Sequence, residues 1–223
     1  MDVTNPDDRA RVVAAILAKQ GRIDGLVNNA GFGAILAQED TSEEVLRSMF
    51  DVNVFGLHAM TLLVIPAMRK QGSGRIVNIA SIAGHMSVPM MGSYCATKFA
   101  VRAMTQALRN ETRTFGIYAC LIEPGLIRTN FGKRTQTETR AAIDDAKNSP
   151  YKSWYARWRK MRENPGGAHP RVIARRITHA CLSQRPRFHY LGPVHAKALN
   201  LLNRWTPDFV FNGLYRLYFR ARL

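Results

Sequence analysis

Three short apolar runs, Gly25 to Gly31 with its polar, glycine-bearing end, Arg75 to Ala80 and Ile117 to Glu123, each follow a stretch of helical periodicity and end in turn-forming residues. Runs of this length, rich in Val and Ile and bounded by Gly, Ser or Pro-Gly, read as short buried strands. The segments between them are of crossover length, which is what parallel strands require. The chain is therefore restricted to an α/β architecture, a doubly wound parallel sheet with helices on both faces. In open sheets of this kind ligands collect beyond the carboxyl ends of the strands. The residues that follow each run are thus the first place to look for a site.

The helices have their own signals. Asn5, Pro6, Asp7 and Asp8 form a helix start, Val12, Val13, Ile16 and Leu17 a stripe, and Gly21 a stop. Thr41-Ser42-Glu43-Glu44 opens a second stretch whose apolar positions, Val45 through Met68, predict one long helix, bent or interrupted near Asn53 and ended around Pro66. A further helix is expected from Gly92 to about Phe115, another over Val172 to Leu182, a last strand at Phe188 to Leu191, and an aliphatic and aromatic tail from Ala196 to Phe219. Ile127 to Gly167 is polar and basic, with Tyr151, Trp154, Tyr155 and Trp158 among Lys and Arg. This segment is expected to be an insertion of one or two helices that covers a substrate, or else an ordinary amphipathic surface helix. Residues 1–223 form a single domain in this reading.

Formal charge is +16, and residues 131 to 223 hold nineteen Lys or Arg against five acids. Such a bias suits an anionic lipid, an acidic ligand or nucleic acid. Without a helix-turn-helix, zinc-finger or RNP-type signature, no nucleic-acid partner is expected. Cys95, Cys120 and Cys181 are odd in number and lack metal-ligand spacing, so neither a disulfide framework nor a metal site is expected and a reducing, cytoplasmic setting fits. The first twenty residues lack the basic and apolar regions of a secretory leader. The tail lacks the ~20 consecutive apolar residues of a spanning helix. Its aromatics and arginines over residues 200–223 suit either peripheral contact with a bilayer or packing on the domain or a partner subunit.

Ser81 follows the second apolar run, and Tyr94 and Lys98 lie in the helix expected from Gly92. At i and i+4 a phenol and an ammonium project from one helix face at adjacent turns. A tyrosine hydroxyl titrates near ~10, and an ammonium held close favours its phenolate. Strand end and helix start can converge, so that Ser81 donates a hydrogen bond, Tyr94 exchanges a proton and Lys98 supplies charge. Tyr-x-x-x-Lys pairs also occur on helices without chemistry, so the surroundings carry the weight.

With Asn28-Asn29-Ala30-Gly31, Asn53, Ser81, Tyr94-x-x-x-Lys98 and Pro124-Gly125-x-Ile127-x-Thr129 in this order and spacing, the chain resembles the short-chain dehydrogenase/reductase family. The likeness is strong over residues 1 to 130 and weak beyond. It implies a Rossmann-like sheet, NAD or NADP as cofactor, and interconversion of a secondary alcohol and a ketone. By the resemblance Asn53, Ser81, Tyr94 and Lys98 match the catalytic tetrad. Tyr94 would be acid or base, Ser81 would orient the substrate oxygen, Lys98 would lower the tyrosine pKa and bind the nicotinamide ribose, and Asn53 would hold a relay water. Asn28, Ala30 and Gly31 match the turn along the adenosine and ribose, and Asp2 and Val3 the pair beside the adenine. Pro124 and Gly125 lead to Ile127 and Thr129, which match positions at the nicotinamide carboxamide. Dimers or tetramers through the helices of Val45 to Met68 and Gly92 to Phe115 are also implied.

One departure is large. Family members begin with a strand, a Thr-Gly-x-x-x-Gly-x-Gly turn and a helix, and nothing of this kind precedes Asp2. Gly31-Phe32-Gly33 follows the wrong strand and lacks the third glycine. The sheet is therefore expected to be N-terminally incomplete, with an apolar strand edge uncovered beside Val27 and with weak or absent activity in the polypeptide as written. Met86, Met90 and Met91 between the serine and the tyrosine offer a flexible apolar wall, so the expected substrate is lipophilic. Two other readings stand beside the enzyme: a non-catalytic interaction protein on a truncated dehydrogenase scaffold, and a peripheral membrane-binding module.

Overall fold

The computed structural model describes residues 1–129, 131, 135, 137, 139, 149–163 and 166–220. Helix α1 (Pro6–Gln20) begins with Asn5 Oδ1 accepting from the N–H groups of Asp7 and Asp8 at 2.9 and 3.1 Å, and Gly21 closes it at φ +69°. Strand β1 (Gly25–Asn28) follows. Helix α2 (Glu43–Phe50), capped by Ser42, enters a π-turn (Asp51–Gly56) and continues as α3 (Leu57–Gln71). The interruption expected near Asn53 is that π-turn. The end expected around Pro66 is not found, because α3 runs on to Gln71 and stops at Gly72, φ +66°. Pro66 lies on the solvent side of the helix, one turn after Leu62, which is 54% exposed. A carbonyl deprived of its i+4 donor is tolerable there because water can replace it.

Strand β2 (Gly74–Ile79) leads through a short 3₁₀ turn (Ile82–Gly84) to α4 (Gly92–Thr112), and β3 (Ile117–Pro124) follows. Then come α5 (Lys152–Glu163), α6 (Arg171–Leu182), β4 (His189–Gly192), α7 (Val194–Trp205) and α8 (Asp208–Arg220). The tail is thus two helices broken at Thr206 and Pro207.

The four strands pair in parallel in the order β1-β2-β3-β4, with Leu26 opposite Ile76 and Val77 opposite Cys120. Alternation sends Ile76, Ile117 and Ala119 to one face, where they meet Val13 of α1 and Met60, Val64 and Met68 of α3. Val77, Cys120 and Ile122 go to the other face and meet Ala180, Ile173 and Ile177 of α6. Each fully buried aliphatic side chain of this kind is worth roughly 1.5–3 kcal/mol, so the two faces fix the layers. The helical run Glu43–Gln71 is long and apolar enough to cross a bilayer by composition. Its buried stripe, Met49, Val54, Leu57, Met60, Val64 and Met68, is nevertheless core of this domain. On the far side of β1 no strand pairs among the described residues, and Val27 is 40% exposed.

Candidate active site

Beyond the carboxyl ends of β1, β2 and β3 the chain gathers Gly31, Asn53, Ser81, Tyr94, Lys98 and Pro124. Lys98 is only 5% exposed and its Nζ donates to the Ile79 carbonyl at 2.9 Å. Burial pushes this ammonium down to about 8. Tyr94, one turn earlier, is 7% exposed, with Nζ 5.7 Å from its ring centroid. Ser81 caps the 3₁₀ turn: its Oγ accepts from the Ala83 N–H at 3.1 Å and donates to the Pro124 carbonyl at 3.4 Å. Strand end and helix start therefore do converge, and Ser81 is also tied to the exit of β3.

Asn53 occupies the π-turn, a helical irregularity frequent at functional positions. Its Oδ1 accepts from the Phe32 N–H at 3.0 Å, and its Nδ2 donates to the Phe32 carbonyl at 2.8 Å and to Thr97 Oγ1 at 3.1 Å. The amide thus grips the backbone that follows β1. Two glycines permit the approach. A Cβ on Gly31 would lie 3.0 Å from Asn53 Oδ1 and 3.7 Å from Lys98 Nζ, and one on Gly33 would lie 2.9 Å from Tyr94 Cδ2.

The other expected cofactor positions are more scattered. The side chain of Asn28 turns under the sheet, donating to Thr61 Oγ1 at 3.1 Å and Asn78 Oδ1 at 2.8 Å, while Asn78 donates to Thr105 Oγ1 at 2.9 Å. It braces β1 and β2 against α3 and α4. Ala30 is exposed. Asp2 and Val3 precede α1; the Val3 carbonyl accepts from Arg9 at 2.6 Å and lies against Gly56 of the π-turn. Gly125 donates its N–H to the Gly192 carbonyl at 3.0 Å and packs against Ala196. Ile127 bridges Ala168, and Thr129 is exposed with its Oγ1 accepting from the Phe131 N–H at 3.3 Å.

Sequence reasoning missed a buried carboxylate. Glu123, 1% exposed, stands between His85 Nε2 at 2.7 Å and His189 Nδ1 at 2.9 Å, with Arg102 Nε 4.0 Å away. Burial alone would raise its pKa, but the hydrogen bonds from His189 and His85, together with their charge, outweigh burial and hold the carboxyl at about 2. His85 belongs to the loop after Ser81 and His189 to β4, so one carboxylate fastens the Ser81 loop to the sheet. A second fastening is backbone: Met90 sits at φ +69°, a conformation that costs about 1–2 kcal/mol, while its carbonyl accepts from the Leu36 N–H at 2.8 Å.

Above Tyr94 lies α5. Tyr155 Oη donates to Asp40 Oδ2 at 2.6 Å and accepts from the Ala37 N–H at 3.0 Å, and Ser149 Oγ donates to Asp40 Oδ2 at 2.6 Å. Trp154, Trp158 and Phe131 pack with Tyr94 and Met90 in one cluster. Most of residues 130–148, the first half of the expected insertion, lie outside the described residues.

Residues 1–140 match the family described as short chain dehydrogenase. The chain is 34% identical over 226 residues to a 3-ketodihydrosphingosine reductase of Bacteroides thetaiotaomicron, covering all of this chain and 82% of the relative. Among solved structures, a short chain dehydrogenase/reductase of Burkholderia phymatum in complex with NAD aligns at a TM-score of 0.78 and 27% identity, over 91% of this chain and 72% of that one. A gluconate 5-dehydrogenase of Burkholderia cenocepacia in complex with NADP and tartrate aligns at 0.58 and 28% identity, over 60% and 52%. The chain belongs to the short-chain dehydrogenase/reductase family, oxidoreductases that act on CH–OH groups.

Proposed function

We propose that the Ser81–Tyr94–Lys98 cluster transfers the proton in the interconversion of a lipophilic secondary alcohol and its ketone, with NAD or NADP as the hydride carrier. The observation that carries this is the buried ammonium of Lys98 beside Tyr94 at the crevice of a parallel sheet, held at about 8 by burial. A core lysine without a task is rare, and this cost disfavours a scaffold that only binds other proteins.

The residues present fit the ribose and nicotinamide end of a dinucleotide. Lys98 carries three N–H donors, of which Ile79 takes one, and Gly31 and Gly33 keep side chains out of the space beside Asn53 and Tyr94. No Thr-Gly-x-x-x-Gly-x-Gly turn occurs in the 223 residues, so they supply no pyrophosphate cradle of that type. When bound, the dinucleotide gives or takes the hydride at its nicotinamide. Ser81 orients the substrate oxygen, Tyr94 gives it a proton on reduction or removes one on oxidation, and Lys98 stabilises the phenolate so formed. Asn53 shapes the floor of the site through its grip on Phe32, since its amide is already committed. Pro124, Gly125, Ile127 and Thr129 line the nicotinamide side, with Asp2, Val3 and Ala30 towards the adenosine.

Met90, Phe131, Trp154 and Trp158 around Tyr94 support a lipophilic substrate, as does the name of the Bacteroides relative. α5 covers that substrate in this reading. The groove between α3 and α4, lined by Leu62, Ile65, Met104, Leu108 and Phe115, seats a second copy in a homodimer or in half of a tetramer. The test is ketone reduction and NAD(P)H fluorescence titration, on the 223-residue polypeptide and on one extended by the family's strand, glycine-rich turn and helix. The shorter polypeptide is expected to bind dinucleotide weakly and the longer to turn over. Tyr94→Phe in the longer form should lower turnover by about 10²–10⁴ with binding intact; undiminished turnover overturns the assignment.

A further inference from the structure

Helix α7 is amphipathic in an unusual sense. At about 100° per residue, Ala196 and Asn203 fall on one side and Val194, Ala198, Leu201, Leu202 and Trp205 on the opposite side. The first side faces the protein: Ala196 is fully buried, and Asn203 Nδ2 donates to the His85 carbonyl at 2.9 Å. The large apolar side faces water, with Val194 at 78%, Leu201 at 60%, Leu202 at 59% and Trp205 at 76% exposure. Past the break at Thr206 and Pro207, α8 repeats the pattern. Phe211 and Tyr215 turn inward, while Phe209 is 76% and Leu217 70% exposed.

An exposed patch of this kind marks an interaction surface, and its charge selects the occupant. Lys197, Arg204 and Arg216 are exposed along the same two helices. Residues 194–220 contain Lys197, Arg204, Arg216 and Arg220 against Asp208 as their one acid. On the helical wheel Lys197 and Arg204 border the apolar arc, which places cationic heads at headgroup level when the arc is immersed. We infer that α7 and α8 together dock this chain on an anionic bilayer, with Trp205 and Phe209 at the point of deepest contact.

The docking surface stands on the back of the candidate site. Asn203 holds the loop that follows Ser81, Ala196 packs on Gly125, and Tyr215, whose hydroxyl burial pushes up, also feels Cys95, the neighbour of Tyr94. A lipophilic alcohol or ketone would then reach the site from the membrane plane, a consequence that rests on the function proposed above, whereas docking itself does not.

The experiment is co-sedimentation of the 223-residue chain with vesicles of phosphatidylserine and phosphatidylcholine, and with vesicles of phosphatidylcholine alone, without dinucleotide or ketone. Binding is expected to the mixed vesicles and to fall at about 0.5 M salt, where screening is short-ranged. The double variant Trp205→Glu, Phe209→Glu should reduce the bound fraction at least about tenfold, and Lys197→Glu, Arg204→Glu should remove the preference for phosphatidylserine. Thermal melts of each variant matching the parent show that the losses come from the surface. A chain left in the supernatant with both vesicle types, or bound equally by the Trp205 and Phe209 variant, overturns the inference. So does a dimer in size-exclusion chromatography that this variant dissolves while vesicle binding is absent, since the face then belongs to a second copy. Because no catalysis is measured, a failed dehydrogenase assay leaves this result standing and the reverse holds too.

Discussion

At the ends of β2 and β3 the chain buries an ammonium and a carboxylate, Lys98 at 5% and Glu123 at 1% exposure, while on α7 and α8 it leaves Leu202, Trp205 and Phe209 in water. The first region has nearly balanced charge and the second belongs to the strongly basic third of the sequence. Stability alone would favour the reverse in both places, with charge outside and aromatics inside. Glu123 is compensated by its two histidines and Lys98 by the Ile79 carbonyl and the nearby Tyr94 ring, so the two buried charges also differ in how they are supported. The contrast separates parts of the fold shaped by packing from parts shaped by what they meet.

The largest effect should come from breaking the better supported charge. Glu123→Ala would leave His85 and His189 without their acceptor and should cost about 3–5 kcal/mol, read by urea unfolding; a change below about 1 kcal/mol would remove Glu123 from the comparison. The folded carboxyl titrates at about 2 against an ordinary 4.5. Its stabilisation is therefore complete above that ordinary value and is lost as pH falls from there through about 2. Glu123→Gln should remove this acid-side loss.

The opposite sign is expected at Lys98. Its folded-state value, about 8, lies below the ordinary 10.5, so between these values the unfolded chain holds more protons than the folded one. Stability should rise with pH across that window, and below it the buried ammonium costs up to about 3 kcal/mol. Lys98→Met should stabilise the chain near pH 7 by up to that amount and flatten the alkaline rise, while abolishing proton transfer in the extended form. Equal or lower stability of the variant would show that the bond to Ile79 outweighs burial.

Gly33→Ala tests how closely the site is packed. Its Cβ would meet Tyr94 Cδ2 at 2.9 Å, so an overpacking cost of about 1–3 kcal/mol and a displaced phenol are expected, seen as a lower melting temperature together with reduced turnover. The smallest effect belongs to the other region: Trp205→Glu and Phe209→Glu should each change unfolding free energy by no more than about 0.5 kcal/mol. A larger loss at either would place that ring in the fold instead of on a partner.

Local chemistry was legible in the sequence. The cap at Asn5, the stop at Gly21, the three strands and the i, i+4 pair of Tyr94 and Lys98 depend on neighbours a few residues apart, and motif order revealed the family. Pro66 misled because proline ends helices when its lost bond would be buried, and here it faces solvent. The Glu123 cluster was illegible because its partners lie 38 and 66 residues away along the chain. A carboxylate closing an apolar strand was the only trace of it. The inward turn of Asn28 depends on Thr61 and Asn78, contacts that only the sheet register creates. The two-helix form of the tail was missed because the aromatics were read for their partners rather than for their break at Thr206 and Pro207.

The π-turn at Asp51–Gly56 has an implication for chain length. Such a turn holds one residue more than the α-turn it replaces, so α2 and α3 together resemble one helix that has absorbed an inserted residue as a bulge. Removing a residue there would restore regular winding, with α3 still packed on the sheet, but Asn53 would no longer reach Phe32. A one-residue deletion there would therefore change the crevice floor, through the lost bonds of Asn53 to Phe32 and Thr97, without substituting any residue between Ser81 and Lys98.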